Sequence, residues 1–398
     1  MSRLDELIAE LCPDGVEYKK IKDVYKRLKG TPITAAKMKE IDNPDGDIRI
    51  FAGGKTVIKA KENDITNANI TRVPAVLVQS RGLIDVVYYD KPFTFKNEMW
   101  AYTAENATMV KYLYYLIKNN LAYFRKAASG MGSLPQISLQ VTEEFKIPLP
   151  PLPVQQEIVS ILDKLTELTA ELTAKLTAEL TARRKQYEYY RDLLLTFGDD
   201  VPMMALGDIC TVQSGGTPSK ANHEYWDNGT IKWLGSTVCQ NQKTVDEVTN
   251  YISELGLKNS SSKLMKKETT LIALVGATIG KVAFLPFEAA INQNIAGIYP
   301  IDTSRINPSY VFYACSMLYS DFIGLSQGKL AMANLSFVRG LKIPVPPLKE
   351  QERIVAILDR FDALCNDLTS GIPAEIEARQ KQYEYYRDKL LSFKEVTA

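Results

Sequence analysis

From Gln155 to Phe197 the chain runs 43 residues without a glycine or a proline, and within it leucine returns at every fourth position: Leu168, Leu172, Leu176 and Leu180. That pattern predicts one long helix, about 64 Å at 1.5 Å per residue. A four-residue step turns about 400°, so the apolar stripe drifts by roughly 40° per repeat. It suits packing against one partner helix without making a strict heptad seam. The Pro-rich segment from Pro148 to Pro153 cannot be helix interior and marks where the helix begins.

On either side of the helix the apolar runs are shorter and strand-like. Ala75–Val78, Asp85–Tyr89 and Trp100–Tyr102 read as strands, and Val110–Arg125 as a Tyr- and Leu-rich helix. Further on, Thr270–Val275, Lys281–Leu285 and Ile295–Tyr299 read as strands and Pro308–Ser320 as a helix. The order of elements is similar in both stretches. Weak echoes persist, Gly30-Thr-Pro32 against Gly216-Thr-Pro218 and Ile137-Ser138 against Leu335-Ser336, so the two stretches read as diverged copies of one fold.

The frame around them is a much closer duplication. Residues 146–197 align with 342–393 without a gap, and 30 of 52 positions are identical. Lys146-Ile-Pro-Leu-Pro-Pro-Leu152 answers Lys342-Ile-Pro-Val-Pro-Pro-Leu348, and Lys185-Gln-Tyr-Glu-Tyr-Tyr-Arg-Asp192 recurs unchanged as Lys381–Asp388. The second copy carries Gly371-Ile-Pro373 mid-way, which predicts a break or kink near 371–373. The expected class is α+β: two globular mixed α/β domains alternating with two long helices packed as an antiparallel coiled coil, with pseudo-twofold symmetry.

Composition narrows the function. A net charge of +1 gives no overall basic field, although 48 Lys and Arg residues allow local patches. Five scattered cysteines without a Cys-x-x-Cys pair argue against a zinc ribbon or disulfide frame and fit a reducing cytosol, so a cytoplasmic location is expected. No apolar run approaches the roughly 20 residues of a membrane span. A single histidine, His223, excludes a histidine-based triad or multi-histidine metal site in this chain. Gly276-Ala-Thr-Ile-Gly-Lys281 is one residue short of a phosphate loop and reads better as strand–turn–strand. No catalytic residue, bound cofactor or metal site is expected.

Gly-rich turns bearing cations are the candidates for DNA contact, because exposed amides and cations suit phosphates. These are Lys55, Lys59, Lys61 and Arg81 in the first stretch, and Lys220, Lys281, Lys329 and Arg339 in the second. Tyr187, Tyr189 and Tyr190, with their copies Tyr383, Tyr385 and Tyr386, spread around their helices and are candidates for subunit contact.

The Pro-rich joint, Gln155–Asp163, the Thr-Ala-Glu-Leu repeats and the Lys-Gln-Tyr-Glu-Tyr-Tyr-Arg-Asp segments together resemble the DNA-specificity subunit of type I restriction–modification systems, and the repeats resemble its IC subgroup. The resemblance implies target-recognition domains at 1–150 and 199–346 and spacer helices at 151–198 and 347–398. It implies a non-catalytic subunit that reads a bipartite site in double-stranded DNA. Its partners would be two modification subunits, methylating adenine N6 from S-adenosylmethionine, and two restriction subunits using ATP and Mg²⁺. A coiled-coil adaptor carrying two protein-binding heads is the alternative, distinguished by its lack of sequence preference on DNA.

Overall fold

The computed structural model describes residues 2–54, 56–128, 135–245, 248, 250–324, 332–366 and 371–396. They form two compact units, Met1–Thr173 with Ala378–Ala398, and Ala174–Glu377.

In the first unit the elements are α1 (Arg3–Leu11), β1 (Tyr18–Lys20), α2 (Ile21–Val24), β2 (Lys26–Leu28), α3 (Ala35–Ile41), β3 (Ile48–Phe51), β4 (Val57–Ala60), β5 (Ala75–Gln79), β6 (Asp85–Tyr89), β7 (Phe93–Phe95), β8 (Trp100–Thr103), α4 (Ala107–Asn119), α5 (Leu121–Lys126), α6 (Leu139–Glu143) and β9 (Lys146–Pro148). The helix α7 (Leu152–Leu195) begins in this unit and ends in the next. The second unit continues with β10 (Met203–Ala205), α8 (Leu206–Ile209), β11 (Cys210–Ser214), β12 (Ile231–Leu234), β13 (Asn250–Ile252), α9 (Glu254–Lys258), β14 (Lys263–Met265), β15 (Thr270–Ala273), β16 (Val282–Phe284), β17 (Ala289–Ile291), β18 (Ile295–Pro300), α10 (Pro308–Ser316), α11 (Tyr319–Gly324), α12 (Leu335–Gly340), β19 (Lys342–Pro344) and α13 (Leu348–Asn366). The last helix, α14 (Ile372–Leu391), lies mostly in the first unit.

The two globular parts share one topology. The larger sheet has the order β2-β8-β5-β6 in the first and β11-β18-β15-β16 in the second. The smaller sheet is β4-β3-β7 in the first and β13-β12-β17-β14 in the second, with β14 as an added strand. The equivalent pairs β3–β7 and β12–β17 are parallel, Ile50 opposite Thr94 and Leu234 opposite Ile291. Several short strands escape a periodicity reading because they are polar or bear cations, as in Val57-Ile-Lys-Ala60.

Each large sheet packs against its following helix and against the spacer. Val76, Val78, Leu113, Leu116, Ile158 and Leu162 share one core, and Ile272, Ile298, Val311, Ile354 and Leu358 share the other. The stretch 110–125 is two helices rather than one, because Asn120 turns its side chain back onto the Leu116 carbonyl at 2.8 Å. Pro308–Ser320 likewise ends early, at Ser316, before α11.

The Pro-rich segments are joints between sheet and helix. β9 pairs with β1, Tyr18 opposite Pro148, and β19 pairs with β10, Met203 opposite Pro344. Beyond each joint an aspartate at the same repeat position, Asp163 or Asp359, meets a tyrosine and a lysine of the adjoining globular part. Tyr115 Oη donates to Asp163 Oδ1 at 2.6 Å and Lys111 Nζ to Oδ2 at 2.7 Å. Tyr313 Oη donates to Asp359 Oδ1 at 2.5 Å, and Lys243 bonds the same oxygen.

Helices pair antiparallel within each unit. In the first, Thr166 Oγ1 and Tyr383 Oη lie 2.9 Å apart, and Ile161 and Leu165 face Tyr386 and Leu390 across a cleft. In the second, Tyr190 stacks on Phe361 at 5.6 Å, and Tyr187 lies beside Asp362 and Cys365. The leucine ridge needs one correction. Leu172, Leu176 and Leu180 are half-buried, but Leu168 is 51% exposed. Four-residue steps rotate off the seam, and the covered positions instead run Ile158, Leu162, Leu165, Thr169, Leu172, Leu176, Leu180, Arg183 and Tyr187. Steps of three and four alternate there, with one extra four between Leu172 and Leu180.

Candidate nucleic-acid interface

One end of each globular part gathers the turns that carry polar chemistry. In the first, Thr31 N donates to the Phe95 carbonyl at 2.7 Å and Lys96 N to the Phe51 carbonyl at 2.9 Å. Ser80 Oγ donates to the Glu98 carbonyl at 2.7 Å, and Lys96 pairs with Glu98 at 2.9 Å. This closes a rim from Gly30, Gly53, Gly54, Ser80, Arg81, Lys96 and Glu98. Arg81, on the β5–β6 turn, is exposed.

The second rim is built on the same bonds. Gly216 N donates to the Ile291 carbonyl at 3.0 Å and Asn292 N to the Leu234 carbonyl at 3.0 Å. The β5–β6 and β15–β16 turns agree in detail. Arg81 bridges Gln136 and Val275 bridges Met332, and each is followed by a glycine in the left-handed region, Gly82 at φ 76° and Gly276 at φ 72°. The structure therefore shifts the Gly-Thr-Pro echo by one residue. Gly30 and Gly215 are equivalent, each too close to a carbonyl, of Phe95 and Ile291, to carry a Cβ.

The two rims differ in chemistry. The first is charged, through Arg81, Lys96 and Glu98. The second presents amides: Gln240, Asn241 and Gln293 are exposed, and Thr217 Oγ1 donates to Gln293 Oε1 at 2.8 Å. Lys281 Nζ lies 3.5 Å from Gln240 Oε1 and is the ammonium of this rim. Amides of Asn and Gln and the cations of Arg and Lys are the groups that read base edges in the major groove. Gly276–Lys281 itself is the turn of an antiparallel strand pair, β15 and β16.

The sequence candidates fall in different places. Arg81 and Lys281 lie on the rims, and exposed Lys220 follows the rim residue Thr217 by three positions. Lys59 and Lys61 do not join them. The β3–β4 pairing runs from Phe51–Val57 at the rim to Ile48–Ala60, so β4 carries both lysines away from its turn. Lys59 Nζ donates to the Pro44 carbonyl at 3.1 Å. It lies opposite Arg49, whose guanidinium sits 5.1 Å over the Tyr89 ring, a second basic spot that the sequence did not reveal. Arg339 is also displaced. Its guanidinium donates to the Val212 carbonyl at 2.9 Å, satisfying the open side of edge strand β11. Lys55 and Lys329 lie outside the described residues.

The six tyrosines separate into two groups. Tyr187 and Tyr383 are turned inward, because the seam passes through them. Tyr187 packs on the core of the second unit, Tyr383 bonds Thr166, and each ring lies under the next arginine, Arg191 at 6.0 Å and Arg387 at 5.4 Å. Tyr189 and Tyr385 are 63% and 62% exposed, each edge-on to its neighbour, Tyr190 or Tyr386, at 5.4 Å. All five cysteines are buried and unpaired, and burial pushes the Cys210 and Cys239 thiols up to about 12.

Comparison with known proteins bears on the whole chain. The sequence matches the type I restriction modification DNA specificity domain twice, over residues 13–182 and 198–378. The specificity subunit of the type I restriction enzyme EcoR124I/EcoR124II of Escherichia coli is 36% identical over 363 residues, covering 87% of this chain and 87% of its own. A putative type I specificity subunit of Haemophilus influenzae is 37% identical over 300 residues, covering 71% and 72%. Among solved structures, a chain from a study of complex assembly and conformational transition in a type I system superposes with a TM-score of 0.65 at 16% identity, over 96% of this chain and 98% of that one. The specificity subunit of Thermoanaerobacter tengcongensis gives 0.51 at 15%, over 95% and 97%. The chain belongs to the type I restriction–modification DNA specificity family and is a specificity subunit.

Proposed function

We propose that the chain reads a bipartite target in double-stranded DNA, one half-site by each globular part, and directs partner subunits to it. The recognition domains are residues 1–150 and 199–346, and the spacers are 151–198 and 347–398. Adenine N6 methylation from S-adenosylmethionine and ATP- and Mg²⁺-dependent restriction belong to two modification and two restriction subunits bound to this chain in the cytoplasm. Phosphate contacts supply most of the affinity and base-edge contacts the specificity.

The observation that carries this reading is the pair of rims. One backbone topology is repeated with the same turn bonds, yet one rim bears Arg81, Lys96 and Glu98 and the other Gln240, Lys281 and Gln293. A duplicated scaffold with unlike side chains suits two unlike half-sites. The test is methylated-adenine mapping in cells that express the chain with its modification subunit. Two short half-sites separated by unspecified bases are expected. Methylation without a bipartite motif, or none beyond the modification subunit alone, overturns the reading and favours an adaptor.

A further inference from the structure

The aspartates Asp163 and Asp359 stand 196 positions apart, at the same place in the two spacer copies. Each receives a tyrosine hydroxyl from the helix after the large sheet, Tyr115 on α4 and Tyr313 on α10. Burial first, and the neighbouring carboxylate after it, push both hydroxyls above their ordinary value of 10, so both remain donors. Each aspartate also receives a lysine ammonium, and that ammonium lies near a ring from the equivalent strand of the large sheet. Lys111 is 5.3 Å from Tyr88 on β6, and Lys243 is 5.5 Å from Phe284 on β16.

The lysines themselves come from unlike places. Lys111 lies on α4, one turn before Tyr115, whereas Lys243 comes from the loop between β12 and β13. The globular parts have diverged widely, yet both present a lysine, an aromatic ring and a tyrosine to the same spacer carboxylate. A generic surface ion pair does not require this convergence. The carboxylate meets hydroxyl and ammonium together, which fixes direction as well as distance.

We propose that Asp163 and Asp359 are positioning residues that set the angle of each recognition domain on its spacer helix, and through it the base-pair spacing accepted between half-sites. This rests on the bipartite reading above. One base pair of spacing corresponds to about 35° of DNA twist, so a domain free to swing on its helix tolerates spacers that a latched domain rejects.

The experiment uses the full-length chain assembled with its modification subunit, after the half-sites have been mapped. Methylation rates are measured on duplexes with the preferred spacer and with one base pair more or fewer. Asp163→Asn and Asp359→Asn keep an acceptor for the tyrosine and remove the ion pair. They are expected to lower the ratio of methylation rates on native to altered spacers by about tenfold, without changing the half-site bases. Tyr115→Phe and Tyr313→Phe keep the ring packed and are expected to produce the same effect more weakly, including where the aspartate variants do not assemble. Glu350→Gln, which breaks an exposed pair with Arg353 on the same helix as Asp359, is expected to leave the spacer profile unchanged. An unchanged profile in aspartate or tyrosine variants that still methylate overturns the latch. A wild-type complex with no bipartite preference instead overturns the underlying function.

Discussion

Gln155 and Gln351 each donate their side-chain amide to a proline carbonyl five residues earlier, at 2.8 Å in both, and so clamp the two Pro-rich joints alike. Their acceptor ends differ. Gln351 Oε1 takes the Asn307 backbone N–H at 2.9 Å, and its amide also reaches the Arg305 carbonyl at 3.0 Å. Gln155 Oε1 is buried without a partner. Gln351→Leu therefore strands three backbone groups and is expected to cost about 3 kcal/mol, against about 1 kcal/mol for Gln155→Leu. Denaturant titration of both variants measures the difference. Equal costs would mean that the clamp is the only bond that counts.

The β15–β16 turn holds two glycines at positive φ, Gly276 at 72° and Gly280 at 74°. A methyl on Gly276 meets nothing within 4 Å, whereas on Gly280 it would lie 2.6 Å from Phe322 Cβ. Gly276→Ala is expected to cost about 1–2 kcal/mol, the price of the left-handed conformation alone. Gly280→Ala adds the displacement of a fully buried phenylalanine and is expected to cost several kcal/mol. Thermal unfolding of the two variants ranks them.

Glu144 pairs with Lys20 and Lys22, which hold its carboxyl down to about 2 from an ordinary 4.5. Hydrogen bonding to the two ammonium groups is the main cause. A depressed carboxylate stabilises the fold fully above its unfolded value and loses that contribution as pH falls through its folded value. Glu144→Gln is expected to lower the melting temperature above pH 4.5, and the gap from wild type should close as pH approaches 2. The pair is solvent-exposed, so the effect is small and weakens with salt. A gap that persists at the acid end would place its origin elsewhere.

The long helix and the central strands were legible because their signals are local. An absence of Gly and Pro over 43 residues permits an unbroken helix, and Leu271-Ile-Ala-Leu-Val275 is apolar at every position. The four joint strands were not legible. Lys146-Ile-Pro148 is ordered by pairing with Tyr18–Lys20, 128 positions away. The rims were half legible. Glycine-rich turns marked Gly53 and Lys281, but Lys59 and Lys61 stand near Gly53 in sequence and are carried off along β4. Arg339 carries a cation in sequence and a backbone tie in space. Asp163 and Asp359 gave no signal of their own, because a spacer aspartate reads as a solvated charge until Tyr115 and Tyr313 are placed beside it.

The extra four-residue step between Leu172 and Leu180 makes the spacer length itself testable. Deleting Thr173–Leu176 joins Leu172 to Thr177 and leaves a Thr-Ala-Glu-Leu repeat in register. The deletion also removes the extra four, so the covered positions pass from Leu172 to Leu180 in one four-residue step and continue to Arg183 in steps of three and four. The seam survives while the helix shortens by about 6 Å and unwinds by about 40°. That rotation is close to the roughly 35° between neighbouring base pairs. The deletion is expected to shift the preferred gap between half-sites by about one base pair, shorter, with both half-site sequences retained. Adenine-methylation mapping of the deletion variant checks both parts. A changed half-site would remove the ruler role from this helix, and an unchanged gap would move it to the second spacer, where α13 and α14 replace a continuous helix.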